Sequence, residues 1–237
     1  MSTTARLAVG RAAAERVQPG MVVGLGTGDT AACFIRALAE RAQQDPALGS
    51  LRCVATSRRS AQLGSELGLL VIDIDTLESH AAHPVDLTVD GADEIDPRLQ
   101  LVKGAGGALL FEKLVAQLSR ELVIVGDRSK QVQALGEKRR LPIEIVRFAA
   151  RHTLPRIRRI DGIRDADLRL TSDGTPYITD GGNFIVDAAF ACPTQGAAKL
   201  HSALKALPGI VETGFFLSEA TCVLISDDAG HVQTLQR

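Results

Sequence analysis

The chain has 237 residues, room for one large domain or two smaller ones and for a core that needs no covalent staples. With 27 Lys plus Arg against 28 Asp plus Glu, the formal net charge of −1 argues against nucleic-acid binding by bulk charge. Seven Phe, one Tyr and no Trp are also a thin supply of base-stacking platforms.

Helical and strand patterns alternate from the start. Ala5 to Val17 reads as an amphipathic helix that Pro19-Gly20 ends, without the long apolar stretch of a signal peptide. Met21 to Leu25 is a short apolar strand, followed by a glycine loop and a helix from Thr30 to about Gln44. Leu51 to Thr56 is the next strand, Ser57-Arg58-Arg59-Ser60 a polar turn, and a helix runs on to about Leu67. Leu69 to Ile74, Asp86 to Val89, Leu99 to Val102 and Glu121 to Val125 read as strands, with a helix from Leu109 to Leu118. Continuous apolar strands separated by helices indicate a parallel sheet covered on both faces.

After Lys130 the texture changes. Leu141 to Val146 reads as a strand, and the basic stretch Arg147 to Arg159 as a helix limited by Pro155. Asp167 to Leu170 and Tyr177 to Asp187 read as a strand pair joined at Ser172-Asp173-Gly174. Gln195 to Leu207 reads as a helix and Ile210 to Phe216 as a strand. The order β-α-β-β-α-β matches a split βαβ unit. Thr221 to Ser226 and the tail add a strand and a short helix. The second domain therefore reads as an insertion, with the tail returning to the first sheet. No segment approaches the roughly 18 apolar residues of a membrane span. Cys33, Cys53, Cys192 and Cys222 form no C-x-x-C pair, so no disulfide scaffold, zinc knuckle or redox motif is visible, and a reducing cytoplasm is the simplest compartment.

Four segments carry chemistry. Gly24-Leu25-Gly26-Thr27-Gly28-Asp29-Thr30 joins a strand to a helix, where glycines and hydroxyls can present donors to an anion. It fits neither the P-loop nor G-x-G-x-x-G, and a tight turn without ligand is its plain alternative. Asp90-Gly91-Ala92-Asp93-Glu94-Ile95-Asp96 follows an apolar strand, where α/β sheets build ligand crevices. Such acids need cations or shared protons nearby, and a solvated acidic turn is the alternative. Lys103-Gly104-Ala105-Gly106-Gly107 supplies a cation and a possible nest of amides, with Glu112 following on the next helix, facing either solvent or the crevice. Lys130, in Gly126-Asp127-Arg128-Ser129-Lys130, places another cation at a strand end. His80, His83, His152, His201 and His231 lie outside these segments and in no metal-like spacing. Carboxylates, lysine and backbone amides suit proton transfer better than covalent acyl transfer.

Taken together, these blocks resemble the type A ribose-5-phosphate isomerases. The resemblance covers nearly the whole chain: Gly-x-Gly-Thr-Gly-x-Thr at 24–30, Thr-Ser-x-x-Ser at 56–60, Asp-Gly-Ala-Asp-Glu at 90–94 and Lys-Gly-x-Gly with Glu-Lys at 103–113. Ser-Lys at 129–130, Leu-Pro-Ile-Glu at 141–144, Thr-Asp-Gly-Gly-Asn at 179–183 and Gly-Ile-Val-Glu-Thr-Gly at 209–214 follow in order. The resemblance implies a Rossmann-like, mostly parallel sheet with helices on both faces over 1–137 and 216–237. Residues 138–215 would be an inserted ferredoxin-like α+β lid and oligomerisation domain.

It implies interconversion of ribose 5-phosphate and ribulose 5-phosphate through a cis-enediol, with no metal and no cofactor. Glu112 would move the proton between C2 and C1. Lys103 and the amides of Gly104, Ala105 and Gly106 would hold the oxygen whose charge rises. Asp90 would assist ring opening, Asp93 would orient the sugar hydroxyls, and Gly91 and Ala92 would line the same loop. Thr27, Gly28, Asp29, Thr30 and Lys130 would bind the phosphate, joined by Arg6 where relatives carry lysine. The only partner implied is a small sugar phosphate, with neither nucleic acid nor membrane; relatives are homodimers or homotetramers. Asp29 departs from the Ser of many relatives, and pairing with Arg58 or Arg59 is expected to neutralise it. Ala105 replaces a common glycine and is strained only if its φ is positive.

Two other classes compete. A non-catalytic sugar-phosphate sensor of the same fold is disfavoured by the retention of Lys103 and Glu112 and by the lack of a DNA-binding module. A nucleotide-dependent enzyme calls for an acidic ribose contact where Thr56-Ser57-Arg58-Arg59 stands.

Overall fold

The computed structural model describes residues 2–78, 80–191 and 196–236. The elements in chain order are α1 (Thr3–Ala14), β1 (Val22–Leu25), α2 (Asp29–Gln44), β2 (Arg52–Ala55), α3 (Arg58–Glu66), β3 (Leu70–Val71), β4 (Val85–Gly91), β5 (Glu94–Ile95) and β6 (Leu101–Val102). They continue as α4 (Leu109–Gln117), β7 (Ser119–Asp127), β8 (Leu141–Ile145), α5 (Ala150–Ile157), β9 (Ile163–Leu168), β10 (Phe184–Phe190), α6 (Ala197–Lys205), β11 (Ile210–Thr213), β12 (Phe215–Phe216), β13 (Cys222–Ser226) and β14 (Val232–Gln236). The start expected for α6 at Gln195 lies outside the described residues. The chain divides into two compact units: Met1–Ala92 with Phe111–Lys130 and Ser218–Arg237, and Asp93–Leu110 with Gln131–Leu217.

The first unit holds a seven-stranded sheet of order β14-β13-β7-β4-β1-β2-β3, parallel except for the β13–β14 pair. The apolar run of β1 is buried at every residue, as a strand covered on both faces must be. Val23 and Leu25 pack with Phe34, Ile35 and Leu38 of α2, while Val22 joins a separate cluster with Val115 of α4. Alternate side chains of a strand point to opposite faces, so the two clusters cover both sides. Burying a side chain such as Phe34, at 0% exposure, contributes about 1.5–3 kcal/mol.

The expected polar turn at 57–60 is the start of α3: Ser57 caps it by accepting from the Ser60 amide at 3.1 Å. The tail forms β14 rather than a short helix. A five-residue helix would be too short to nucleate, whereas pairing from Cys222↔Gln236 to Ser226↔Val232 satisfies both strands.

The second unit contains a four-stranded antiparallel sheet of order β11-β8-β10-β9, the order of a split βαβ unit. Ile157 of α5 and Leu200 and Leu204 of α6 enter its core with Ile143 and Val186. The segment 93–110, assigned from sequence to the first domain, packs in this unit because β5 and β6 pair with each other and β6 with β12. Pro155 sits inside α5 and does not end it; the helix continues to Ile157, which is fully buried. The strand expected over 210–216 is two strands in two sheets, broken at Gly214. There the Gly214 amide donates to the Pro142 carbonyl at 2.8 Å, and its carbonyl accepts from the Lys103 amide at 2.8 Å. The strand expected from Tyr177 begins only at Phe184, because 179–182 turns back through a Gly182-to-Thr179 hydrogen bond.

Candidate active site

In the first unit the chain runs β1, β2, β3 to one side and then places β4 on the other side of β1. The order of strands therefore reverses between β1 and β4, and the carboxyl ends of strands at such a switch point are where open α/β sheets bind ligands. The glycine loop leaves β1 there, and Asp90-Gly91 ends β4 there. The Thr27 amide donates to Asp90 Oδ1 at 2.9 Å, and the Gly91 amide to the same oxygen at 2.7 Å. Only glycine fits at 26: a Cβ would stand 2.3 Å from the Val89 carbonyl and 2.5 Å from Asp90 Oδ1. The glycines of this loop thus serve the approach to Asp90, which is 1% exposed.

Around Thr27 lies a cluster of hydroxyls that the motifs by themselves did not bring into the site. Thr27 Oγ1 is 2.7 Å from Thr56 Oγ1 and 3.2 Å from Ser60 Oγ, and donates to Ser57 Oγ at 2.9 Å. Gly26, Thr27, Gly28, Arg59 and Ser60 line a pocket. Thr-Ser-x-x-Ser after a strand was the available signal, but an N-cap pattern does not reveal which loop it faces. Gly28 caps α2, and Asp29 and Thr30 open it. Asp29, with its side chain 63% exposed, stands 3.5 Å from Arg59 and 3.8 Å from Arg6. The expected neutralisation is present, through Arg59, with Arg6 added. Lys130, half-buried, ends the turn that follows β7. Glu112 lies in the first turn of α4 and is 5% exposed, so it does not face solvent. Phe111 beside it is half-buried.

The acidic run after β4 does not act as one cluster. Asp93 Oδ2 accepts the Ala105 amide at 2.9 Å. Glu94 is fully buried and accepts the amides of Gly136 at 2.6 Å and Arg139 at 2.7 Å, together with that of Lys138. Asp96 Oδ1 accepts the amides of Arg98 at 2.9 Å and Gln100 at 2.8 Å. Glu94 and Asp96 therefore anchor backbone, and the solvated-turn alternative fails for Glu94.

The Lys103 side chain is 2% exposed, with Nζ 5.4 Å from the centre of the Phe216 ring, a cation–π contact. The turn after it closes through the Gly107 amide on the Gly104 carbonyl at 2.9 Å. Positive φ falls at Gly104 (103°) and Gly107 (82°), not at Ala105, so the alanine carries no strain there. The Ala105 amide is engaged by Asp93, and Gly106, the next residue of the turn, is exposed.

The thiol of Cys53 is pushed up to about 12 by burial, which removes it as a nucleophile near neutral pH. Cys33 and Cys222 are likewise raised by burial, and Cys192 lies outside the described residues. Among the described residues no group of His, Cys, Asp and Glu is arranged to hold a metal ion, and no helix is long and apolar enough to cross a membrane.

Comparison with known proteins points one way. A family model described as ribose 5-phosphate isomerase A (phosphoriboisomerase A) matches residues 52–230. A ribose-5-phosphate isomerase A of Synechococcus sp. (strain JA-3-3Ab) is 44% identical over 97% of this chain and 96% of its own length. The structure of ribose 5-phosphate isomerase A from Methanocaldococcus jannaschii superposes with a TM-score of 0.88 at 34% identity, covering 98% of each chain. A D-ribose-5-phosphate isomerase in complex with phospho-erythronic acid gives a TM-score of 0.90 at 31% identity over 98% of this chain and 97% of that one. On this agreement of sequence and fold over nearly its whole length, the chain belongs to the ribose 5-phosphate isomerase A family.

Proposed function

We infer that this chain interconverts D-ribose 5-phosphate and D-ribulose 5-phosphate through a cis-enediol(ate). The observation that carries the inference is the retention, in a chain that matches its relatives over nearly their whole length, of a buried carboxylate, Glu112, on the helix that follows the Lys103–Gly107 turn. One carboxylate can take a proton from C2 and return it to C1, because the planar cis-enediol presents the same face of both carbons to it. Lys103 and the amides of Gly104 and Gly106 stabilise the oxygen as it becomes anionic. The amide of Ala105 instead holds Asp93, whose other oxygen orients sugar hydroxyls.

Asp90 exchanges a proton with the ring oxygen or hydroxyl during ring opening, and Gly91 and Ala92 line its loop. The phosphate binds at Thr27, Gly28 and Thr30, beside Asp29, with Lys130 and Arg6 as cations. The bound phospho-erythronic acid of the relative supports this reading, since it carries a phosphate and, in its carboxylate, a planar anion resembling an enediolate end. In this reading the reaction runs on side chains and amides, without metal or organic cofactor. The protein acts in the pentose phosphate pathway of the cytoplasm, as a homodimer or homotetramer.

Purified protein mixed with ribose 5-phosphate, with and without EDTA, tests this by ketose formation. Equal turnover in both is expected. No turnover would overturn the assignment, and loss only with EDTA would overturn the metal-free chemistry. Glu112→Gln is expected to abolish isomerisation while leaving sugar-phosphate binding measurable; surviving activity would move the base elsewhere.

A further inference from the structure

The turn that follows Lys103 is held from behind by side chains of the segment between β9 and β10. The Arg169 guanidinium donates to the Gly104 carbonyl at 3.2 Å and to the Ala105 carbonyl at 3.0 Å. It is fixed by a two-point pair with Asp187, Nε to Oδ2 at 2.7 Å and Nη2 to Oδ1 at 2.5 Å. Both side chains are largely buried, at 15% and 24% exposure. The Tyr177 ring lies 5.8 Å from the guanidinium, and its hydroxyl donates to the Gly106 carbonyl at 3.4 Å. Three successive carbonyls, those of Gly104, Ala105 and Gly106, are thus turned toward one hairpin. In a trans peptide the N–H points opposite to the C=O, so holding the Gly104 and Ala105 carbonyls directs the Ala105 and Gly106 amides to the other side. The Ala105 amide does meet Asp93 there, at 2.9 Å.

We propose that Arg169, locked by Asp187, is a positioning residue for the isomerisation, setting the direction of the Gly106 amide that receives the developing oxyanion and of the Ala105 amide that holds Asp93. The inference rests on the reading that the 103–107 turn binds that oxygen. Donors aimed in advance need no reorganisation as charge develops, and the glycines of the turn supply little stiffness of their own. The planar fork of arginine spans two carbonyls and a carboxylate at once, which the point charge of a lysine cannot. Asp187 neutralises the guanidinium, so its contribution is geometric rather than a second cation for the substrate.

Arg169→Lys and Asp187→Asn test this against wild type, in turnover of ribose 5-phosphate and in inhibition by 4-phosphoerythronate and by inorganic phosphate. Each variant is expected to lose about 10–100-fold in kcat with KM within about threefold, because the donors act chiefly in the transition state. Inhibition by 4-phosphoerythronate should weaken in step with kcat, while inhibition by inorganic phosphate stays unchanged. Wild-type kcat in both variants would overturn the proposal. So would a parallel loss of kcat, KM and phosphate inhibition, the mark of a merely structural residue. A wild-type chain without turnover would instead remove the isomerase reading itself, and this inference with it.

Discussion

Asp29 is the negative charge that stands in the loop assigned to a phosphate dianion, and Asp29→Ser measures what it does there. If the carboxylate faced the dianion directly, at about 4 Å in a medium of effective dielectric about 20, the repulsion would be about 8 kcal/mol, enough to abolish binding. The structure describes another situation. The side chain is 63% exposed, with Arg59 at 3.5 Å and Arg6 at 3.8 Å. The local sum of the three charges is positive, and water screens all of them. In water at about 8 Å, removing one unit charge opposite a dianion changes the energy by about 1 kcal/mol, which salt near 0.1 M cuts to about half. That corresponds to a fall in KM of about two- to threefold with kcat unchanged. The assay is steady-state isomerisation of ribose 5-phosphate across a salt series, and the small gain should vanish toward about 1 M salt. A fall in KM beyond about thirtyfold would refute the reasoning, since it would mean an unscreened carboxylate. A rise in KM would refute it too, by showing that Asp29 is needed to hold the arginines in place.

Gly26→Ala should cost about 1–3 kcal/mol in urea unfolding and most of the activity, because the new Cβ meets the Val89 carbonyl at 2.3 Å and Asp90 Oδ1 at 2.5 Å. Unchanged stability and turnover would contradict the close approach of loop and carboxylate. Glu94→Ala should destabilise by about 3 kcal/mol, since it strips a buried acceptor from three backbone donors around 136–139. A loss under about 0.5 kcal/mol in denaturant unfolding would show that water replaces it.

Burial in the second-unit sheet raises the Glu144 carboxyl above its ordinary 4.5, against hydrogen bonds from Asn183 and Thr179 that lower it. The folded chain therefore keeps this proton to higher pH than the unfolded chain. The stability that it contributes is full below about 4.5 and is lost as pH rises through the folded value. Glu144→Gln, which stays neutral, should gain on wild type in urea midpoints as pH rises above about 4.5 and through the raised folded value. A difference that does not change with pH would contradict the raised carboxyl.

The alternation of apolar runs and helices was enough to read a parallel sheet followed by a split βαβ unit, because covered strands and amphipathic helices are written in local periodicity. The ends were less legible. Pro155 lies inside its helix since burial of Ile157 outweighs one lost hydrogen bond, and the tail is a strand since β13 offers it an open edge. Asp90, Lys103 and Glu112 were legible as motif members, and their low exposure is a product of the fold alone.

What the sequence by itself determined is the residue chemistry: glycine loops at strand ends, a lysine, and carboxylates in an otherwise balanced chain. What only the tertiary structure decided is which polar group each of them meets. Glu94 belongs to backbone more than forty positions away, Arg169 to carbonyls about sixty-five positions away, and Asp29 to Arg6 and Arg59. The reason is physical. Backbone preference and periodicity act over a few neighbours, whereas a buried polar group must find its partner wherever the packed chain brings one.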